Sequence, residues 1–225
     1  MDFMAVYGEA GMIGVVGVMF VYLVMSLSKK SEAQQDALEK LKVDVIEAGF
    51  AASSPGDWEG VNLIAKNIKN SKIASLARCV PDDIEKAWEA IKVAKKSRIH
   101  VFTSTSDIHM EHMLRKSKEE VLQDAKESVR YAKKLCDDIE FSAQDATRTD
   151  KEFLVEILKV AVQEGATTIN VPDTVGYATP SDYLELLKSV YDEVKGKNED
   201  IIISTHCHND LGLAVANSLT AIKAG

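Results

Sequence analysis

The chain has 225 residues, with 27 Lys plus Arg against 35 Asp plus Glu and a formal net charge of -8. That length suits one domain of the larger kind, and the acidic balance argues against nucleic acid as a partner, because phosphate binding needs a basic surface. Three scattered cysteines, Cys79, Cys136 and Cys207, fit a reducing compartment and provide no disulfide framework.

The first predicted element is apolar. No charged residue occurs from Ala10 to Ser28, a stretch close to the roughly 20 residues that cross a bilayer as a helix. Asp2 and Glu9 precede it, and Lys29 and Lys30 follow it. That bias places the remainder on the cytoplasmic side. A basic start and a small-residue cleavage site, which would mark a secretory signal, are not evident. Gly8, Gly11, Gly14 and Gly17 recur every three residues, a spacing that lets another helix approach closely. The expectation is a hydrophobic transmembrane helix within residues 1–30 and a separate domain over 31–225. A buried strand or core helix is the alternative reading of the same run.

From Val43 onward the chain alternates strands with helices. Short runs rich in β-branched residues predict strands at 43–50, 73–78, 98–102, 139–142, 167–171 and 201–204. Between them lie amphipathic helical patterns with start signals. Ser117 with Glu120 and Thr149 with Glu152 have capping-box spacing, and Thr179 precedes Pro180. The helix after Asp150 gathers Phe153, Leu154, Ile157, Leu158, Ala161 and Val162 on one face, and Gly165 stops it. This rhythm implies parallel βαβ units, arranged either as a doubly wound sheet or as most of a (β/α)8 barrel. No Gly-x-Gly-x-x-Gly follows any strand, so a dinucleotide site has no support.

Polar residues cluster just after the strands, at 51–57, 103–107, 143–148 and 172–177. In a parallel barrel these loops form the C-terminal rim, where active sites are built. Helix capping explains Ser117, Thr149 and Thr179. It does not explain Asn170 and Thr174, which flank a proline turn before the helix begins. The last strand runs into Ser204-Thr205-His206-Cys207-His208-Asn209-Asp210. Residues two apart on a strand share a face, so His206 and His208 project together and can form half of a divalent-metal site. A His-x-His also arises without a metal role. His109 and His112, three apart at a helix start, read as helix-surface residues.

Five ordered segments carry a family resemblance: Val43 to Phe50 with Ser53-Ser54-Pro55-Gly56-Asp57; Thr105 to Met110; Phe141 to Arg148; Asn170 to Tyr177; and His206-Cys207-His208-Asn209-Asp210. From about residue 35 to its end the chain resembles 2-isopropylmalate synthase, with homocitrate and citramalate synthases and the metal-dependent aldolase-like lyases as wider relatives. The resemblance implies an α/β fold, a (β/α)8 TIM barrel. It also implies a Claisen condensation of acetyl-CoA with a 2-oxo acid, 2-oxoisovalerate, in leucine biosynthesis, followed by thioester hydrolysis. A divalent metal ion (Mn, Mg or Zn) would polarise the 2-oxo acid, and the family is expected to be homodimeric. Carried over by position, His206 and His208 are metal ligands, and His100, Ser142, Asn170 and Thr174 bind substrate. Asp145 and Arg148 lie in a matching loop without an assigned role, Arg148 also reading as a surface ion pair. No catalytic residue is assigned.

Three departures qualify the resemblance. The apolar run stands where the family's first strand carries Asp-Thr-Thr-Leu-Arg-Asp-Gly-Glu-Gln, and residues 1–42 contain no arginine. The eighth strand with its Gly-Glu-Arg-Ala-Gly-Asn loop is not found. Gln144 stands where the family usually has glutamate. The expectation is an incomplete barrel of about six βα units, first and eighth strands missing, behind an N-terminal hydrophobic helix. Such a chain would be a fragment or fusion with impaired activity, cytoplasmic or anchored with the barrel on the cytoplasmic side.

Overall fold

The computed structural model describes residues 42–196, 198 and 200–224. The expected hydrophobic helix at residues 1–30, including the uncharged stretch 10–28, lies outside the described residues. Among those described, no helix is long and apolar enough to cross a membrane.

Six strands form one parallel sheet in sequence order: β1 (Val45–Gly49), β2 (Lys72–Arg78), β3 (Ser97–Ser104), β4 (Ile139–Gln144), β5 (Thr168–Asp173) and β6 (Ile202–Cys207). Each neighbouring pair is parallel. A sheet in which each strand pairs only with its sequence neighbours is the order of a barrel wall; a doubly wound sheet reverses partway. The curved sheet is therefore an incomplete barrel, as expected.

Several strands run further than predicted at their C-terminal ends. Thr103-Ser104, Ala143-Gln144, Pro172-Asp173 and Thr205-His206-Cys207 belong to strands. Polar composition argued for loops there, but ladder pairing to Ser104↔Gln144 and Asp173↔Cys207 outweighs it.

Helices cover the convex face: α1 (Pro55–Asn67), α2 (Pro81–Ile91), α3 (Lys118–Leu135), α4 (Lys151–Gln163), α5 (Pro180–Val190) and α6 (Ala214–Ala221). Their starts follow local chemistry. Ser54 accepts from the Asp57 amide with Pro55 in the first turn, and Ser117 with Glu120 completes a capping box on α3. Thr179 caps α5. The α4 cap differs from the expected one: Asp150, not Thr149, accepts from the Phe153 amide. Thr149 instead bonds Thr105 Oγ1 and the Asp145 carbonyl.

Alternation sorts the strands into two faces. Ile73, Ala77, Ile99, Val101, Ile139, Phe141, Ile169 and Val171 are fully buried beneath the helices. The other set, including Glu47, Ala74, Arg98, His100, Glu140, Thr168, Asn170 and His206, lines the concave side.

Candidate functional site

The concave side holds a cavity of about 900 Å³ lined by residues from all six strands, from Glu47 on β1 to His206 on β6. Register explains how it is furnished. Ser142 lies beside Asn170, and Asn170 beside Ser204. Pro172 pairs with His206. On β3, His100 sits one concave position below Phe102, the partner of Ser142.

These side chains form a continuous row. Asn170 Nδ2 donates to Ser142 Oγ at 2.8 Å. Ser142 Oγ lies 2.6 Å from His100 Nε2. His100 Nδ1 is hydrogen-bonded to Glu47 Oε2. His100, Ser142 and Asn170 are buried, whereas the Glu47 side chain is partly exposed. Burial alone would raise the Glu47 carboxyl, but the His100 hydrogen bond and the charges of His100 and His206 together hold it below its ordinary value. Asn170 Oδ1 and Thr168 Oγ1 are buried and without a partner, so this wall offers unsatisfied polar atoms.

At the C-terminal end of β6, the rings of His206 and His208 stand 5.0 Å apart. Burial first, then the neighbouring His208, pushes the His206 imidazole below its ordinary value, with Glu47 opposing. That favours the neutral ring, the form that binds metal. The donor chemistry suits a divalent cation, but its number does not complete a site. Among the described residues, no group of three His, Cys, Asp or Glu side chains could hold a metal ion. His206 and His208 thus fit such an ion as two of the four donors usual for it.

The loops beyond the strands are fixed by two buried carboxylates. Asp145, fully buried with φ 70°, accepts from Arg148 Nε at 2.9 Å and Nη2 at 2.6 Å and from the Ser106 hydroxyl. Its amide donates to Thr174 Oγ1 at 2.9 Å. Arg148 is therefore no surface ion pair: its partner is wholly desolvated. His109, expected on a helix surface, turns inward, with Nδ1 3.4 Å from Asp145 Oδ2; His112 is exposed as expected. The inward side of this short helix is set by its packing against the Asp145 loop, which three-residue spacing alone does not reveal. Asp173, also fully buried, accepts from Thr147 Oγ1, the Ala178 amide and Asn217 Nδ2, while its carbonyl accepts the His208 amide at 3.1 Å.

Gly176 brings the β5 and β6 loops together. Its φ is +63°, and a Cβ there would lie 2.5 Å from Asp210 Oδ2 and 2.9 Å from the His208 carbonyl carbon. The Gly176 carbonyl accepts the Leu211 amide.

Of the sequence-derived candidates, the structure gathers His100, Asn170 and His206 around one cavity, with Ser142 hydrogen-bonded between His100 and Asn170. Thr174 and His208 fall in the loops that follow β5 and β6, with the Thr174 hydroxyl spent on the Asp145 amide. Sequence reasoning passed over Glu47, Ser106 and His109. For Glu47 a signal existed: an acidic residue on the cavity-facing phase of an otherwise apolar strand.

A family model described as HMGL-like matches residues 19–225, beginning inside the uncharged N-terminal stretch. The 2-isopropylmalate synthase of Clostridium kluyveri is 56% identical over 188 residues, covering 84% of this chain and 36% of that protein. The 2-isopropylmalate synthase of Pyrococcus furiosus is 56% identical over 188 residues, covering 84% and 38%. The chain thus spans a little over a third of the length of these curated relatives. Among solved structures, hydroxymethylglutaryl-CoA lyase from Pseudomonas aeruginosa aligns with a TM-score of 0.67 at 18% identity, over 84% of this chain and 63% of that one. The carboxyl transferase domain of Rhizobium etli pyruvate carboxylase aligns with a TM-score of 0.56 at 20% identity, over 81% and 32%. At that identity the likeness concerns the fold.

Proposed function

The chain belongs to the HMGL-like family, and from that premise we propose that it carries part of a 2-isopropylmalate synthase-like acyltransferase. The reaction is a Claisen condensation of acetyl-CoA with 2-oxoisovalerate, with residues 31–225 as the catalytic region. The observation that carries this reading is the convergence of His100, Asn170 and His206 on one cavity, with Ser142 hydrogen-bonded between the first two, in a chain 56% identical to two curated 2-isopropylmalate synthases.

In this reading the buried polar row binds and orients the 2-oxo acid, and the Asp145–Arg148 pair keeps the β4 loop and Thr174 in place. His206 and His208 hold a divalent metal ion, which when bound supplies Lewis acidity toward the 2-oxo acid. Dimerisation, as in the family, belongs to the same proposal.

The test is CoA release by the purified chain, dependent on 2-oxoisovalerate and a divalent metal, alongside a metal titration. Metal binding is expected to fall at least tenfold in His206→Ala and in His208→Ala. Turnover is expected to be weak, because the described residues supply two metal donors and Gln144 replaces a carboxylate. Metal binding indifferent to both histidines would sink the reading, and robust turnover only with a different 2-oxo acid would reassign its substrate.

A further inference from the structure

The row Glu47–His100–Ser142–Asn170 has a direction, set by counting hydrogens. Asn170 Nδ2 donates to Ser142 Oγ, so the single Ser142 hydrogen is not used toward Asn170. It points to the other near neighbour, His100 Nε2, at 2.6 Å. That nitrogen must then accept, and a neutral imidazole carries its proton on the other nitrogen. His100 Nδ1–H donates to Glu47 Oε2, a carboxylate that can only accept.

The reverse order fails at one end. If the Asn170 amide were turned over, Ser142 would donate to Asn170 Oδ1 and His100 Nε2–H would donate to Ser142. A neutral His100 would then face Glu47 with a bare Nδ1, acceptor against acceptor. The amide orientation of an asparagine is fixed by its network and not by its own shape, so the carboxylate at one end selects the orientation at the other. With this direction, Asn170 Oδ1 is left as a buried acceptor without a partner, in a residue lining the cavity.

We propose that Glu47 is a positioning residue: it holds His100 as the Nδ1–H tautomer, and through His100 and Ser142 it fixes the orientation of the Asn170 side-chain amide. This deepens the reading of the polar row as part of a substrate pocket and rests on it for that role alone. The tautomer is a property of the free protein.

The experiment is ¹⁵N NMR of imidazole-labelled protein at neutral pH, with His100 assigned by its loss in His100→Ala. Wild type is expected to show a protonated Nδ1 and an unprotonated Nε2. Glu47→Gln, whose amide can donate as well as accept, is expected to move His100 to a mixture or to the Nε2–H form. Ser142→Ala, which leaves Glu47 in place, is expected to keep Nδ1–H. Circular dichroism verifies folding of each variant. Should Glu47→Gln not fold, the wild-type and Ser142→Ala spectra decide alone. An Nε2–H form or an imidazolium in wild type overturns the inference. So does an unchanged tautomer in folded Glu47→Gln, or a switch caused by Ser142→Ala. A failed synthase assay leaves these shifts untouched, so the two readings fail separately.

Discussion

At the scale of single residues, two positions decide how the cavity is shaped. Gly176 occupies a left-handed conformation in which a side chain would strike the His208–Asp210 backbone. Gly176→Ala is expected to cost about 1–3 kcal/mol for the strained backbone and to displace His208. Chemical denaturation measures the first effect and metal titration the second; unaltered metal affinity would show that the two loops are not coupled. Glu47 supplies the pH dependence. Its carboxyl lies below the ordinary value of 4.5 in the folded chain, so the folded state binds its proton less readily than the unfolded state. Its contribution is present above the unfolded value and is lost as pH falls through the folded one. Glu47→Gln is therefore expected to flatten the acid limb of a stability–pH curve below about pH 4.5 and to leave its neutral region shallow. An acid limb of unchanged steepness would count against the hydrogen bond with His100.

At the scale of elements, capping and burial explain which sequence signals were reliable. The apolar face of α4 was legible because Phe153, Leu154, Ile157, Leu158 and Ala161 are all buried. Its start was off by one residue, since Thr149 and Asp150 are both competent caps and the choice depends on what else Thr149 can reach. Thr149 is taken by the Asp145 carbonyl four residues back and by Thr105, 44 residues away in sequence, and the second contact is invisible to local sequence. Asp150→Ala is expected to cost about 1 kcal/mol through loss of the cap, read as a shift in the urea midpoint. If Thr149→Ala reproduced that loss with the frayed-helix signature in amide exchange, Thr149 would be the cap after all.

For the molecule as a whole, the two ends of the strands have separate duties, as in parallel barrels generally. The C-terminal ends carry His206 and the Asp145 and Asp173 loops. Nearer the N-terminal ends, Arg98 bonds Asp138 at 2.8 Å and Glu140 at 2.9 Å, Lys72 joins Asp138, and Thr167 Oγ1 donates to Asp138 at 2.9 Å. The Arg98 side chain is 7% exposed, so Arg98→Ala leaves the buried Glu140 without its cationic partner, while Asp138 keeps Lys72 and Thr167, and is expected to cost about 3–5 kcal/mol. Metal affinity at His206 and His208 is expected to stay within twofold in the folded fraction. A loss of affinity without a loss of stability would contradict this division of roles.

The sequence by itself determined six strands alternating with helices in parallel βαβ units; its pattern left a doubly wound sheet open, and the family resemblance it carries pointed to the barrel wall and to His100, Ser142, Asn170 and His206 on it. Local periodicity and caps act over a few residues, and the side-chain period of two fixes which residues share a face. Only the tertiary structure decided that Glu47 joins His100 across 53 residues, that His109 and Arg148 converge on a buried Asp145, and that Thr174 serves a loop amide. Those contacts depend on register and curvature across several strands, and no local sequence window encodes either.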